Sequence, residues 1–268
     1  MKLATLALII MIGGKANAQF DIIAASEAGK LVNDKNTIFL AVVKAEDYAK
    51  VHIQNSVNLD VKSICKAGSI EGLLKSTTEV AQVLGKAGID PAKTIIIYDN
   101  GKYVNAGYVY WALDYLGYSR IKILDGHMKA WREARLPVTK TPTKLKAITV
   151  TPKVNKSIFA DYAYVKSKLK SSGTLIIDVS SAKEFSAGNI PGSKNVENKN
   201  FFSEETSKLK SKAEIEKVLS SNGITKDKEI ILYCASSARA GTVYMILKSL
   251  GYKNLKVYEP GYNEWKTK

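Results

Sequence analysis

The sequence predicts an α/β protein made of two tandem copies of one unit, each a parallel sheet flanked by helices. Strand-like and helix-like segments alternate along the 268 residues, a pattern that favours parallel strands joined by crossover helices. The alternation also occurs twice, because residues 94–99 match residues 229–234 and residues 116–118 match residues 250–252. The length is sufficient for two ordinary domains, so we expect two domains with separate sheets.

The elements follow the same order in both copies. In the first copy, apolar β-rich runs at 37–42, 94–98 and 121–124 predict strands, and helical periodicity at 75–86 and 106–117 predicts helices. In the second copy, the corresponding strands are predicted at 174–179, 229–233 and 254–258, and the helices at 207–220 and 239–250.

The two copies differ in one loop and are separated by a distinctive segment. The first copy needs one additional residue just after Asp99, compared with the residues after Cys234 in the second copy. Residues 138–156 are rich in Thr, Lys and Pro, which is typical of a linker. This division predicts a first domain at 19–137 and a second at 157–268.

The N-terminus resembles a secretory signal peptide. Lys2 is followed by an apolar run at 3–14 and by an A-x-A pattern at 16–18, so we predict a signal peptide at 1–18. The apolar run is too short to span a bilayer comfortably, and no stable membrane insertion is expected after cleavage. The expected location is therefore the periplasm or the exterior of the cell.

Composition narrows the classes of partner. The net charge is +15, but the lysines are scattered and form no block that would indicate a nucleic-acid partner. A basic surface of this kind favours small anions. The two histidines, His52 and His127, have no metal ligands at suitable spacing, so we expect no metal site and no cofactor.

The segment most suited to chemistry begins at Cys234, where an apolar strand ends and a helix follows. Ligands of open α/β sheets bind beyond the carboxyl ends of the strands. Four small residues separate Cys234 from Arg239: Ala235, Ser236, Ser237 and Ala238. Small residues allow successive amides to point inward and bind an anion, and the helix N-terminus and Arg239 add positive charge. We therefore predict Cys234 and Arg239 as catalytic and residues 235–238 as substrate-binding. On its position alone, Cys234 could equally be a small buried apolar residue.

The mature chain resembles the tandem-domain rhodaneses, a family that includes thiosulfate and 3-mercaptopyruvate sulfurtransferases. Residues 234–239 look like the family's active-site loop, C-x-x-x-x-[RT], and residues 189–193 look like its G-H-I-P-G-A turn. Residues 178–179 look like the start of its D-x-R segment, and residues 258–265 like its terminal Y-D-G-x-W-x-E-W run. The order and the duplication of these motifs make the resemblance specific.

The resemblance implies a double displacement. The Cys234 thiolate would take sulfane sulfur from an anionic donor, namely thiosulfate, 3-mercaptopyruvate or polysulfide, and become a persulfide. A thiophilic acceptor, such as cyanide, a thiol, sulfite or a protein sulfur acceptor, would then remove the sulfur. Asp99 occupies the nucleophile's position in the first copy, so the resemblance implies that the first domain is catalytically silent.

Several positions depart from the family pattern and leave the donor open. Ser180 and Glu184 stand where the family often has arginines, and Asn189 stands in place of a histidine. The loop lacks the Arg-Lys pair of thiosulfate-preferring members. Of the first-domain residues used by mercaptopyruvate-preferring members, Asp60 keeps an acidic residue in the region, but Lys62 stands where a second Asp would be.

Three residues are candidates for accessory roles. Asp178 begins the D-x-R segment, and Asp60 belongs to the first-domain region just described. Cys65 lies in a first-domain segment that is expected to approach the active-site cleft of a tandem fold. Our hypothesis is that Cys65 resolves the Cys234 persulfide or forms a disulfide with Cys234.

Two other functions compete with sulfur transfer. A Cys-dependent phosphatase of related fold would need the longer loop C-x5-R, but here the sixth residue after Cys234 is Ala240 and the arginine is the fifth. A non-enzymatic module that binds a partner or a sulfur carrier remains an alternative, because Glu184, Asn189 and Lys62 stand where the family has an arginine, a histidine and a second aspartate.

Overall fold

Alternating strands and helices fill both halves of the chain. The computed structural model describes residues 21–68, 70 and 72–268. The signal peptide predicted at 1–18 lies outside these residues and stays a prediction. No helix among residues 21–268, leaving aside 69 and 71, is long and apolar enough to cross a membrane.

The elements of the first half are numbered along the chain. They are β1 Ile22–Ile23, α1 Ala25–Gly29, β2 Thr37–Ala41, α2 Ala45–Lys50, β3 His52–Ile53, β4 Val57–Asn58, α3 Thr77–Lys86, β5 Thr94–Tyr98, α4 Val104–Tyr115, β6 Ile121–Leu124, α5 His127–Glu133 and β7 Val138–Thr139. A 3-10 turn at Val61–Ser63 precedes α3.

The second half repeats this order. Its elements are β8 Phe159–Ala160, α6 Tyr162–Lys168, β9 Thr174–Asp178, α7 Ala182–Ala187, β10 Lys194–Asn195, α8 Lys212–Ser221, β11 Glu229–Tyr233, α9 Ala238–Ser249, β12 Leu255–Tyr258 and α10 Gly261–Trp265. Further 3-10 turns lie at Lys156–Ile158 and Asn198–Phe201.

Each half contains one five-stranded parallel sheet, as the sequence predicts. The strand orders are β1-β6-β5-β2-β4 and β10-β9-β11-β12-β8, which are the same topology written from opposite edges. The central strands β5 and β11 are apolar on both faces, because helices cover both sides of a parallel sheet. The ends of β5 and β11 therefore lie at equivalent points of the two sheets.

The start of the predicted linker belongs to the first half. Val138 pairs with Ile53 and Thr139 with His52, in an antiparallel ribbon formed by β7 and β3. Further along, the linker remains bound to the first half, since Lys153 N donates to Leu116 O at 2.9 Å. The segment is thus an ordered strap along the surface of the first half.

The two halves meet through α4 and α9, which are buried nearly all round. A Cβ added at Gly107 would lie 2.5 Å from the Cα of Thr242, and one added at Gly241 would lie 2.5 Å from the carbonyl oxygen of Gly107. The glycines thus allow the two backbones to cross in direct contact. One hydrophobic core continues through this crossing and includes Leu40 of the first sheet and Leu232 of the second.

Candidate active site

Cys234 follows β11 directly and is 1% exposed. The loop after it turns at Ser237, whose φ of 61° lies in the left-handed region, and α9 begins at the next residue, Ala238. The Ser237 hydroxyl donates to the carbonyl oxygen of Tyr258. Ser237 is fully buried, so its hydroxyl supports the loop from inside and only its amide can serve as a substrate-binding group.

The start of α10 sets the direction in which the loop amides point. Tyr262 N donates to Cys234 O and Asn263 N donates to Ala235 O, both at 2.9 Å. Gly261, with φ of 65°, brings the backbone of α10 against these carbonyls. Because these two carbonyls face α10, the amides of Ala235 and Ser236, in the same peptide planes, point to the opposite side. None of the amides of residues 235–239 donates to another described residue. The loop therefore forms a cradle that suits an anion.

Arg239 is shared between Cys234 and an acidic residue. Its two terminal nitrogens donate to the Glu184 carboxylate at 2.7 and 2.6 Å. These bonds lower the pKa of Glu184 to about 2. The bonds to Glu184, and then the charge of the nearby Cys234 sulfur, raise the pKa of Arg239. The guanidinium is thus held beside the sulfur, but much of its charge is offset by Glu184.

The loop lies between two hollows, and the predicted site residues divide between them. Ser236 and Ala238 line a cleft of about 630 Å³ between the halves, together with Asp60 and Cys65. Ala235 lines a separate hollow of about 340 Å³ with the two acids Asp178 and Glu184. The accessory candidates therefore lie on different sides of the loop.

The two candidate aspartates are engaged with nearby backbone. Asp178 is 2% exposed, and one of its carboxylate oxygens accepts a hydrogen bond from Ser180 N at 2.8 Å. Asp60 accepts from Lys62 N at 3.0 Å and begins the 3-10 turn. Both side chains therefore shape the backbone around the loop.

Cys65 lies in the cleft, as expected for its segment. Its sulfur is 4.0 Å from the hydroxyl of Tyr108, and burial raises the pKa of its thiol. Both cysteines are free thiols, so no disulfide joins Cys65 to Cys234 in this structure. The resolving role of Cys65 stays a hypothesis.

Glu259 is a site residue that the sequence reasoning missed. It is 3% exposed and directly precedes the turn into α10 that binds the loop. One of its carboxylate oxygens accepts from Leu74 N at 2.6 Å and from Tyr108 OH at 3.2 Å, both in the first half. Glu259 thus connects the wall of the cleft to the segment that holds the catalytic loop.

The internal repeat could have revealed this contact. Asp125 follows β6 just as Glu259 follows β12, and Asp125 accepts a hydrogen bond from Leu209 N at 3.0 Å. Leu209 forms an isolated bridge with Phe202, and Leu74 forms one with Cys65. Each half therefore extends a bridged loop over the other half's loop, and an acid at the same position binds it.

In the equivalent loop of the first half, the side chain of Asp99 occupies the space among the loop amides. The Asp99 carboxylate accepts from Gly101 N at 2.7 Å and from Ala106 N at 3.1 Å. An anion is therefore already bound where the second half has an open cradle. The silence of the first domain stays a prediction. The loop runs four residues from Asp99 to the left-handed Tyr103, against three from Cys234 to Ser237, as the sequence predicts.

Known proteins share this architecture. The family model for the rhodanese-like domain matches residues 24–134 and again 161–268. A putative thiosulfate sulfurtransferase from Synechococcus elongatus is 28% identical, with 94% of this chain and 83% of the relative aligned. A thiosulfate sulfurtransferase from Pseudomonas aeruginosa is 27% identical, over 91% of this chain and 93% of the relative.

A solved structure agrees with these matches at the level of the fold. The crystal structure of SseA from Escherichia coli, a 3-mercaptopyruvate sulfotransferase by its description, superposes with a TM-score of 0.85 at 22% identity, covering 91% of this chain and 99% of that one. Since the family model covers both halves, the chain belongs to the family of proteins built from rhodanese-like domains.

Proposed function

We propose that this protein is a sulfurtransferase that carries sulfur as a persulfide on Cys234. The observation that supports it most directly is that the amides of residues 235–239, which directly follow Cys234, donate to no other described residue and are free to bind a charged sulfur. Preorganised amides of this kind stabilise an anion without reorganising during the reaction. Arg239 beside the sulfur adds to the stabilisation.

The first step transfers sulfur to the enzyme. The Cys234 thiolate forms a bond to the outer sulfur of the donor, the bond from that sulfur to the rest of the donor breaks, and its electron pair leaves with the remainder. With thiosulfate the leaving group is sulfite, and Cys234 becomes an anionic persulfide. The cradle holds the negative charge before and after the step, so it suits both states.

The second step returns the enzyme to its starting form. A thiophilic acceptor, such as cyanide, a thiol or sulfite, attacks the terminal sulfur of the persulfide, and the electron pair of the S–S bond returns to Cys234. The donor and the acceptor thus bind in turn, which predicts ping-pong kinetics. A protein thiol satisfies the same chemistry as a small acceptor.

The experiment that tests this function is intact-mass measurement after incubation with thiosulfate, 3-mercaptopyruvate or polysulfide. We expect a gain of one sulfur atom that cyanide or a thiol removes, absent in Cys234→Ser and kept in Cys65→Ser as the matched control. The same comparison ranks the donors. No gain with any donor, from reduced and folded protein, would rule out the persulfide mechanism and favour a binding module.

A further inference from the structure

The two hollows beside the catalytic loop differ sharply in charge. Among the described residues, the cleft between the halves is lined by four lysines and one acid: Lys44, Lys62, Lys66, Lys75 and Asp60. The hollow on the other side is lined by two acids, Asp178 and Glu184, and by Lys266. Formal charges therefore sum to +3 in the cleft and −1 in the hollow.

The lysines of the cleft belong to the first half, and three of them lie beside the bridged loop whose Gly72 approaches Ser236. Lys62 lies in the 3-10 turn, and Lys66 and Lys75 directly follow the two bridged residues of the loop. The Lys75 ammonium donates to the carbonyl oxygen of Ser63 at 2.7 Å, which holds it near the turn. The positive charge thus lies at the two ends of this loop, beside the catalytic segment.

The hollow cannot offer comparable attraction to an anion. Both terminal nitrogens of Arg239 are occupied by Glu184, so the guanidinium fork that would suit a carboxylate is already filled by one. Asp178 adds a further negative charge to this side. With Arg239 offsetting Glu184 and Lys266 offsetting Asp178, an anionic ligand that approaches the loop is therefore attracted far more strongly by the cleft than by the hollow.

We infer that the first-domain lysines Lys62, Lys66 and Lys75 form the donor-binding site, and that the donor is a small inorganic sulfur dianion such as thiosulfate or polysulfide. This inference rests on the proposed sulfur transfer. Ammonium groups are mobile point charges that suit a compact dianion, whereas a carboxylate donor is better matched by an arginine fork. With thiosulfate the leaving sulfite is also a dianion, so the same lysines stabilise the product as it departs.

The first test is kinetic and uses the whole protein. Lys62→Gln combined with Lys66→Gln should raise the KM for thiosulfate by about tenfold or more, because two charge-assisted contacts are lost. Polysulfide should show the same change, and 3-mercaptopyruvate, with a single carboxylate, a smaller one. Lys217→Gln combined with Lys226→Gln removes the same net charge at positions that line neither hollow, so its KM should stay that of the wild type. An unchanged KM in the cleft variant would overturn the inference.

The second test does not depend on turnover. The chain has two cysteines, so Cys234→Ser leaves Cys65, which lines the cleft, as the single thiol. Sulfate, an unreactive dianion of similar shape to thiosulfate, should slow alkylation of Cys65 when chloride keeps the ionic strength constant. The protection should disappear when Lys62→Gln and Lys66→Gln are added. Absence of protection in Cys234→Ser itself would contradict a dianion site.

The two tests separate this inference from the proposed function. Sulfate protection of Cys65 in a protein that forms no persulfide with any donor would support the anion site while refuting sulfur transfer. A persulfide that forms from thiosulfate with equal KM in wild type and the Lys62→Gln, Lys66→Gln variant, with no protection by sulfate, would refute the lysine site while sulfur transfer stands.

Discussion

At the scale of single residues, Glu259 places a carboxyl group in the contact between the two halves. Burial raises its pKa to about 7, although the hydrogen bonds from Leu74 and Tyr108 and the charge of Lys66 lower it. Glu264 on α10 raises it further. The folded protein therefore holds a proton on Glu259 at pH values where an exposed carboxyl would be ionised.

This shift predicts how stability depends on pH. Below pH 4.5 the folded and unfolded states both protonate Glu259, and its contribution is fully present. As the pH rises through about 7 that contribution is lost, because the unfolded state releases the proton first. The neutral variant Glu259→Gln lacks this loss. Urea denaturation should therefore show that the free energy of unfolding of Glu259→Gln, relative to that of the wild type, increases by up to about 3 kcal/mol between pH 5 and pH 8.

The control for this prediction is Glu204→Gln, which removes an exposed carboxylate. Its stability should follow the wild type at every pH. Parallel curves for Glu259→Gln and the wild type across the same range would mean that Glu259 is ionised in the fold at low pH, contrary to the expectation.

The site residues that the sequence revealed are those that lie together in the chain. Cys234 and its loop follow one strand and precede one helix, so a local pattern identifies them. The partners of Arg239 and Glu259 cannot be found in this way, because Arg239 meets Glu184 across 55 positions and Glu259 meets Leu74 across 185. The sequence showed Glu184 only as a position where the family often has an arginine. In the structure Glu184 forms both side-chain hydrogen bonds of Arg239.

At the scale of elements, the six longest strands were predicted almost to the residue, since buried parallel strands are continuous apolar runs. The two-residue strands, such as β1 and β4 at the sheet edges, are too short to form such a run and were not predicted. Helix starts were less accurate, because capping residues determine them. The helix predicted from 75 begins at Thr77, after Ser76 and Glu79 form a capping box. The helix predicted from 207 begins at Lys212. Leu209 pairs with Phe202 in an isolated bridge, and Ser211 is the N-cap residue that starts the helix.

The crossing of α4 and α9 leaves no room for a side chain at Gly107 or Gly241. Gly107→Ala would place a methyl group 2.5 Å from the backbone of Thr242, and rigid backbone cannot yield as a flexible side chain would. We expect a loss of about 1–3 kcal/mol in the free energy of unfolding, the usual cost of overpacking. Gly241→Ala should behave alike, and chemical denaturation would measure both.

Gly173→Ala supplies the control for that experiment. A Cβ there meets nothing closer than the Ser171 hydroxyl at 3.9 Å, so its stability should change by less than about 1 kcal/mol. Equal stability of Gly107→Ala and Gly173→Ala would show that the helices can separate at the crossing without cost.

At the scale of the whole molecule, the halves are joined by buried polar contacts as well as by a common core. The Asp114 carboxylate of α4 accepts from Tyr244 OH at 2.7 Å and from Lys248 Nζ at 2.5 Å, both on α9. Asp114 and Tyr244 are buried, whereas the side chain of Lys248 is 37% exposed. Because the core continues through this contact, we expect the two halves to unfold together.

The consequences of this contact can be measured by unfolding two variants. Asp114→Ala leaves the buried Tyr244 hydroxyl without its acceptor and should cost about 1–3 kcal/mol. Lys248→Met removes a partly exposed ion pair and should cost less than about 1 kcal/mol. Tryptophan fluorescence, measured in a Trp265→Phe background so that it reports only Trp111 and Trp131 of the first half, should follow the same transition as circular dichroism of the whole chain.

A second probe locates the unfolding of the other half. Labelling of Val165→Cys by a thiol reagent, in a Cys65→Ser, Cys234→Ser background, reports the second half because Val165 is fully buried there, away from the catalytic loop. In the wild type and both variants this signal should coincide with fluorescence, since neither half can expose its side of the α4–α9 contact without exposing the core of the other. If labelling of Val165→Cys preceded the fluorescence change in Asp114→Ala, the halves would be separate folding units, and the polar contact would be what couples them.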